Sequence, residues 1–161
     1  SLMHAGGIRA DLTPDEQGLV RYGQLFAVQP FGNNLVVKTY TGAQIRQLLE
    51  WQFESPTNPG ERTRVLSVSQ GFSYRYDLSQ PPGARVDAIT LHGETLLDQR
   101  DYRVAISSFL AEGGSGYRTL AEGRDMQGGD QDVDVLEAYF RNASPVAVPR
   151  TDRIARVVAR E

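Results

Sequence analysis

A chain of 161 residues with 40% hydrophobic content is long enough for one domain with its own core, burying roughly 70% of its unfolded surface. The 17 basic and 20 acidic residues leave a formal net charge of -3 with no basic run, which argues against a nucleic-acid polymer as partner. The absence of cysteine excludes disulfides and thiolate metal sites, and no apolar stretch reaches the roughly 18 residues of a membrane-spanning helix.

In chain order, the opening in mid-motif at Ala5-Gly6-Gly7 suggests a chain cut from something longer, and no signal peptide is visible in these residues. Gly6-Gly7-Ile8-Arg9 is a flexible turn that delivers one guanidinium. Thr13-Pro14-Asp15-Glu16 carries the cap, N1 proline and N3 acid of a short helix, with Gly18 to end it. Tyr22, Leu25, Phe26 and Val28 fit a further turn or two of helix. Gln29-Pro30-Phe31-Gly32-Asn33-Asn34 then turns sharply: Pro30 fixes its own φ, Gly32 permits a dihedral closed to other residues, and Phe31 is presented at a loop tip. Leu35 to Tyr40 reads as a buried strand.

Thr41-Gly42-Ala43-Gln44 is a capping box opening a helix whose apolar stripe is Ile45, Leu48, Leu49 and Phe53. Arg46 and Glu50 fall one turn apart on its other side, Trp51 lies off the stripe to pack on a neighbour, and Pro56 with Pro59-Gly60 stops it. Strand-like runs follow at Val65 to Val68, Phe72 to Tyr76, Arg85 to Leu91, Glu94 to Leu97 and Tyr102 to Ile106. His92-Gly93 is a two-residue hairpin turn, which gives His92 a structural place at positive φ. After Ile106 the chain repeats the earlier device, with Ser107-Ser108-Phe109 running into the glycine-rich Gly113-Gly114-Ser115-Gly116. Asp132 caps a last helix with Val135, Leu136, Tyr139 and Phe140 on one face, and Ile154 to Val158 forms a closing strand. No repeat or domain boundary interrupts residues 1–161, which read as one domain.

Phosphate-ester hydrolysis requires metal ions or a nucleophile with its base, and neither constellation is visible. His4 and His92 are the only histidines and lie far apart in sequence. Asp130, Asp132 and Asp134 lack the terminal Glu of a calcium loop, and capping explains them more simply. The 113–116 glycines lack the Lys-Ser/Thr of a P-loop. No catalytic residue and no metal ligand is assigned. What remains is recognition chemistry: Phe31 and Phe109 on two loops, Asn33, Arg9 after its double glycine, and Gly71 before Phe72. Two rings sandwiching a base gain about 1–3 kcal/mol of stacking per base, and a planar guanidinium grips a phosphate. The plain alternative for each ring is core packing, and for each glycine pair a turn.

Those residues fall within blocks that resemble the C-terminal, substrate-binding domain of the bacterial 5'-nucleotidase and UDP-sugar hydrolase family: Gly6-Gly7-Ile8-Arg9-Ala10-Asp11-Leu12, Val28-Gln29-Pro30-Phe31-Gly32-Asn33, Thr41-Gly42-Ala43-Gln44-Ile45, Gly71-Phe72, Ser108-Phe109-Leu110-Ala111 with Gly113-Gly114, and Asp152-Arg153-Ile154. The resemblance spans nearly the whole chain in order. It implies an α+β fold of mixed or antiparallel strands with helices packed around them, consistent with the interleaved elements above. It further implies an upstream metallophosphoesterase domain holding two divalent metal ions, with nucleotide hydrolysis as the activity of the whole and a periplasmic or secreted location. Position by position, it implies Phe31 and Phe109 as the rings that stack on the base, Arg9 on the phosphate, and Asn33 and Gly71 around the base. Three positions depart from the pattern. His4 and Ser107 each replace an Asn, and Ser115 replaces the Asp that accepts bonds from the ribose hydroxyls. Other readings are a domain of a 2',3'-cyclic-nucleotide phosphodiesterase, which typically stacks its base on tyrosines, and a non-enzymatic module binding a small ligand or a protein.

Overall fold

The computed structural model describes residues 1–53 and 65–157. Pro56, Pro59 and Gly60, expected to stop a helix, and Val158, expected to end the last strand, lie outside the described residues. Among the described residues there are three sheets. The first is antiparallel, in the order β7 (Asp101–Ser107), β2 (Asn34–Thr41), β8 (Arg124–Gln131). The second runs β6 (Glu94–Thr95), β5 (Val86–Leu91), β4 (Phe72–Tyr76), β9 (Ile154–Arg156), with β9 parallel to β4. A two-stranded piece pairs β1 (Leu2–Met3) with β3 (Ser67–Val68). The α-helices among the described residues are α1 (Tyr22–Val28), α2 (Gly42–Trp51), α3 (Ser108–Ala111) and α4 (Asp132–Ala143).

The capping box works as its residues require. Thr41 Oγ1 accepts from Gln44 N at 3.2 Å and Gln44 Oε1 accepts from Thr41 N at 2.9 Å, so α2 starts directly off the end of β2. Its stripe of Ile45, Leu48 and Leu49 is buried in one cluster with Val36 and Tyr40 of β2, Val104 and Ile106 of β7, and Tyr74, Val86 and Ile89 of the second sheet. Glu50 departs from the outward position expected beside Arg46. It is 6% exposed, and its carboxylate accepts from Val86 N at 2.7 Å and Arg85 N at 3.2 Å, tying the helix to the start of β5. Arg46 instead pairs with Asp98 at 3.2 Å. Trp51, off the stripe as expected, meets Tyr117 edge-on with ring centroids 5.1 Å apart.

The first sheet is closed by a buried ammonium. Lys38 alternates with Val36 and Tyr40 on the inner face of β2 and is 5% exposed. Its Nζ donates to the carbonyls of Ala111 (3.2 Å), Leu120 (2.9 Å) and Ala121 (3.0 Å), and Tyr40 Oη also donates to Leu120 O at 2.7 Å. Ala111 ends α3, and Leu120 and Ala121 end the 3-10 turn Arg118–Leu120, so the cation meets two helical C-termini, where backbone dipoles favour it. Burial lowers the Lys38 pKa from its ordinary value.

Other expectations change for local reasons. Thr13 to Glu16 forms no helix: Asp15 Oδ1 accepts from Gln17 N at 3.0 Å and Leu19 N at 2.8 Å, and this side-chain bonding replaces a helical turn. Within the expected Glu94 to Leu97 run only Glu94 and Thr95 pair, and the expected first run keeps only Ser67 and Val68. Strand β8 has no counterpart among the expected elements. In α4 the inward positions are Val133, Leu136 and Phe140, while Val135 and Tyr139 point to solvent, and the cap is Gln131 in place of Asp132. The His92-Gly93 hairpin is as expected, with φ of 52° and 83° and Leu91 opposite Glu94.

Lys38→Met leaves three carbonyls without their charged donor and is expected to lower unfolding free energy by about 1–3 kcal/mol. Glu50→Gln, which removes one of two acceptors from the start of β5, is expected to fall in the same range, about 1–3 kcal/mol. Urea unfolding of each variant checks both values, and an unchanged midpoint contradicts the assignment.

Candidate functional site

Antiparallel pairing decides where the candidate residues emerge. Leu35 pairs with Ser107 and Asn34 with Gln131, so the start of β2, the end of β7 and the end of β8 share one end of the sheet. The turn carrying Phe31 leads into β2 there, helix α3 carrying Phe109 leaves β7 there, and α4 begins there. Both rings are open to solvent, Phe31 at 48% and Phe109 at 42% exposure, and no ring contact joins them to each other.

Phe31 has a cation over it. The Arg9 guanidinium carbon lies 5.8 Å from the ring centroid, and Arg9 N donates to Val28 O at 2.9 Å, which ties the arginine turn to the end of α1. Phe109 is placed by the cap before it, since Ser107 Oγ accepts from Leu110 N at 3.3 Å and starts α3. Two groups then wall the ring. The His4 imidazole stands 5.4 Å from it at an interplanar angle of 34°, and the backbone of Gly114 is so close that a Cβ there would come within 2.5 Å of Phe109 Cε1 and of its carbonyl oxygen. Ser115 follows in the same turn, half-buried, with φ of 56° and ψ of 18°. That left-handed conformation suits Asn, Asp or Gly better than Ser.

The remaining candidates are engaged structurally. Asn33 O accepts from Asp132 N at 2.8 Å, and its Nδ2 lies 3.4 Å from Asp132 Oδ2, so Asn33 fastens the first turn of α4 to the same end of the sheet. Asp132 is buried there and its Oδ1 accepts from Val133 N. Gly71 is filled from the side by the His92 ring, whose Nδ1 would lie 2.5 Å from a Cβ, and its carbonyl accepts from His92 N at 2.6 Å. Among the described residues no group of three His, Cys, Asp or Glu side chains could hold a metal ion. A cavity of about 400 Å³ lies elsewhere, against Arg103, Asp125, Met126 and Gln127. Arg103 is already bonded there to Thr39, Asp125, Val37 and Gln127, so it offers no free fork to a ligand.

Two residues at or behind the site have partners that sequence reasoning does not supply. His4 stands out only as a departure, yet it stacks on Phe109, and its Nδ1 is buried with no hydrogen-bond partner. Lys38 has a signal, a lone cation inside a run of Leu, Val and Tyr, but nothing in sequence says which carbonyls it meets.

Comparison with known proteins agrees with this architecture. Residues 1–122 match the family described as 5'-nucleotidase, C-terminal domain, and the chain belongs to that family. It is 28% identical over 154 residues to a 5'-nucleotidase of Diplobatis ommata, covering 90% of this chain and 26% of the relative. It superposes on the crystal structure of a 5'-nucleotidase precursor from Thermus thermophilus with a TM-score of 0.82 at 31% identity, over 99% of this chain and 31% of that one. The NAD nucleotidase of Haemophilus influenzae shares the fold, with a TM-score of 0.78 at 23% identity, over 98% of this chain and 30% of that one. The chain thus spans between a quarter and a third of the length of these relatives.

Burial lowers the His4 pKa from its ordinary value of 6.5. The unfolded chain therefore binds this proton more tightly, and stability is lost as pH falls through the unfolded value towards and below the folded one. We expect the unfolding midpoint to drop between about pH 7 and about pH 5, and His4→Asn to flatten that slope. An unaltered slope in the variant contradicts the assignment.

Proposed function

We propose that this chain is the nucleoside-recognising domain of a metal-dependent 5'-nucleotidase, in which hydrolysis of nucleoside 5'-phosphates takes place on an upstream metallophosphoesterase domain of the same polypeptide, in the periplasm or outside the cell. The observation that carries the reading is the pair of half-exposed phenylalanines at one end of the sheet, neither enclosed by aliphatic neighbours. Core rings would be covered; rings left open at a cost in apolar exposure are suited to a flat ligand.

In this account a nucleobase stacks on Phe31 and Phe109. The guanidinium over Phe31 is itself a planar group resting on that ring, which supports the reading. Arg9 then turns its fork to the phosphate, since a guanidinium bonds phosphate oxygens in pairs. Asn33 supports the base side of the site from the turn before β2, and Ser115 faces the sugar with one neutral oxygen where the resemblance implies a carboxylate. Two divalent ions held by the upstream domain would supply the activated water. This chain's part is to bind and orient, and no hydrolytic step is assigned to its residues.

Calorimetric titration of the 161-residue chain with adenosine and AMP tests the reading. Phe31→Ala and Phe109→Ala are each expected to weaken adenosine binding by about ten- to a hundredfold, the loss of one stacking partner. Arg9→Ala should weaken AMP much more than adenosine. Ser115→Asp should tighten adenosine over 2'-deoxyadenosine by roughly tenfold through a charged acceptor for the ribose. Binding that survives both phenylalanine substitutions contradicts the clamp.

A further inference from the structure

The wall that carries Phe109 is held from inside the fold. Residues 111–121 leave α3, pass through the Gly113–Gly116 turn and return to the 3-10 turn Arg118–Leu120. Both ends of this excursion meet one group, because Lys38 Nζ donates to Ala111 O at its start and to Leu120 O and Ala121 O at its finish. The middle is held separately. Trp51 packs edge-on against Tyr117, and a Cβ on Gly116 would come within 2.9 Å of the Trp51 ring. Gly114 in turn lies against the Phe109 ring, so the excursion, the ring and the lysine form one packed unit.

We propose that Lys38 is a positioning residue for nucleoside binding, which holds Phe109 and the Gly113–Gly116 turn in the geometry that receives the ligand while itself remaining out of the ligand's reach. The proposal rests on the nucleoside-recognition reading above. Its physical basis is that a loop with both ends fixed to one donor has few conformations to lose when a ligand docks, and releasing those ends restores an ordering cost to every binding event. The donor is buried on the inner face of β2, and its bonds go to main-chain oxygens that no side-chain change can remove.

The test compares Lys38→Met and Tyr40→Phe with Thr90→Val, a control that removes the hydroxyl bond between Ser73 of β4 and Thr90 of β5, outside both α2 and the wall. All are studied at a temperature where circular dichroism shows them folded. In Lys38→Met, amide hydrogen exchange across Glu112–Tyr117 should accelerate by at least about tenfold, and the emission of Trp51, the single tryptophan, should shift. Adenosine affinity should fall by at least about tenfold. Tyr40→Phe, which takes one of two donors from Leu120 O and leaves no charge unpartnered, should change exchange and affinity in the same direction by about threefold. Thr90→Val should change neither, whatever its loss of stability. Equal effects in the control and the lysine variant, or normal exchange and affinity in Lys38→Met, overturn the proposal. If Lys38→Met does not fold, Tyr40→Phe decides by the same readouts. If the unsubstituted chain binds no adenosine or AMP, the nucleoside reading fails and the affinity role with it, whereas accelerated exchange in the variants would still establish Lys38 as the support of the wall.

Discussion

A single ammonium bonded to three carbonyls fixes both ends of the segment that lies behind Phe109. Burying a cation without a carboxylate beside it is costly, and Lys38 is tolerated because its three N–H donors each find a main-chain oxygen at a helical C-terminus. The bonds fix both ends of a segment whose turn, from Glu112 to Gly116, has no apolar side chain to bury, while Tyr117 and Leu120 after it are core residues. Lys38 and Tyr40 of β2, together with Trp51 of α2, hold the segment that backs Phe109.

The two main sheets divide the work. The β7-β2-β8 sheet delivers the loops to one end, and α2 joins it to the β6-β5-β4-β9 sheet through an apolar stripe on one side and the Glu50 carboxylate on the other. Gln52, just past α2, adds bonds to Tyr74 Oη and from Leu66 N. Trp51 then reaches from the same helix to the Gly116 turn. Helix α2 thereby connects the support sheet to the candidate site, and its position is set locally by the capping box at Thr41 and Gln44.

Legibility in the sequence tracks how local the cause is. The Thr41 capping box, the α2 stripe and the His92-Gly93 hairpin depend on neighbouring residues, and sequence and structure agree on all three. Strand β8 has the sequence Arg-Asp-Met-Gln-Gly-Gly-Asp-Gln with every residue exposed, so it carries no alternation, and only its main-chain pairing to β2 makes it a strand. The Thr13-Pro14 helix fails because Asp15 satisfies nearby amides by itself. Glu50 and Lys38 are charged residues at buried positions whose partners lie 35 or more residues away, at Arg85 and Val86 for one and at Ala111, Leu120 and Ala121 for the other. The candidate rings are legible as loop-tip residues. Their shared end of the sheet becomes clear only with the register of Leu35 against Ser107.

The central claim is that Phe31 and Phe109 receive one planar ligand together. The chain has six phenylalanines, and selective ring labelling lets all of them be followed by NMR during titration with adenosine. Saturating ligand should shift the ring signals of Phe31 and Phe109 upfield and give transferred contacts from both to the same base protons, while Phe26, Phe53, Phe72 and Phe140 stay in place. Contacts from only one of the two rings, or shifts confined to the other four, would contradict the account.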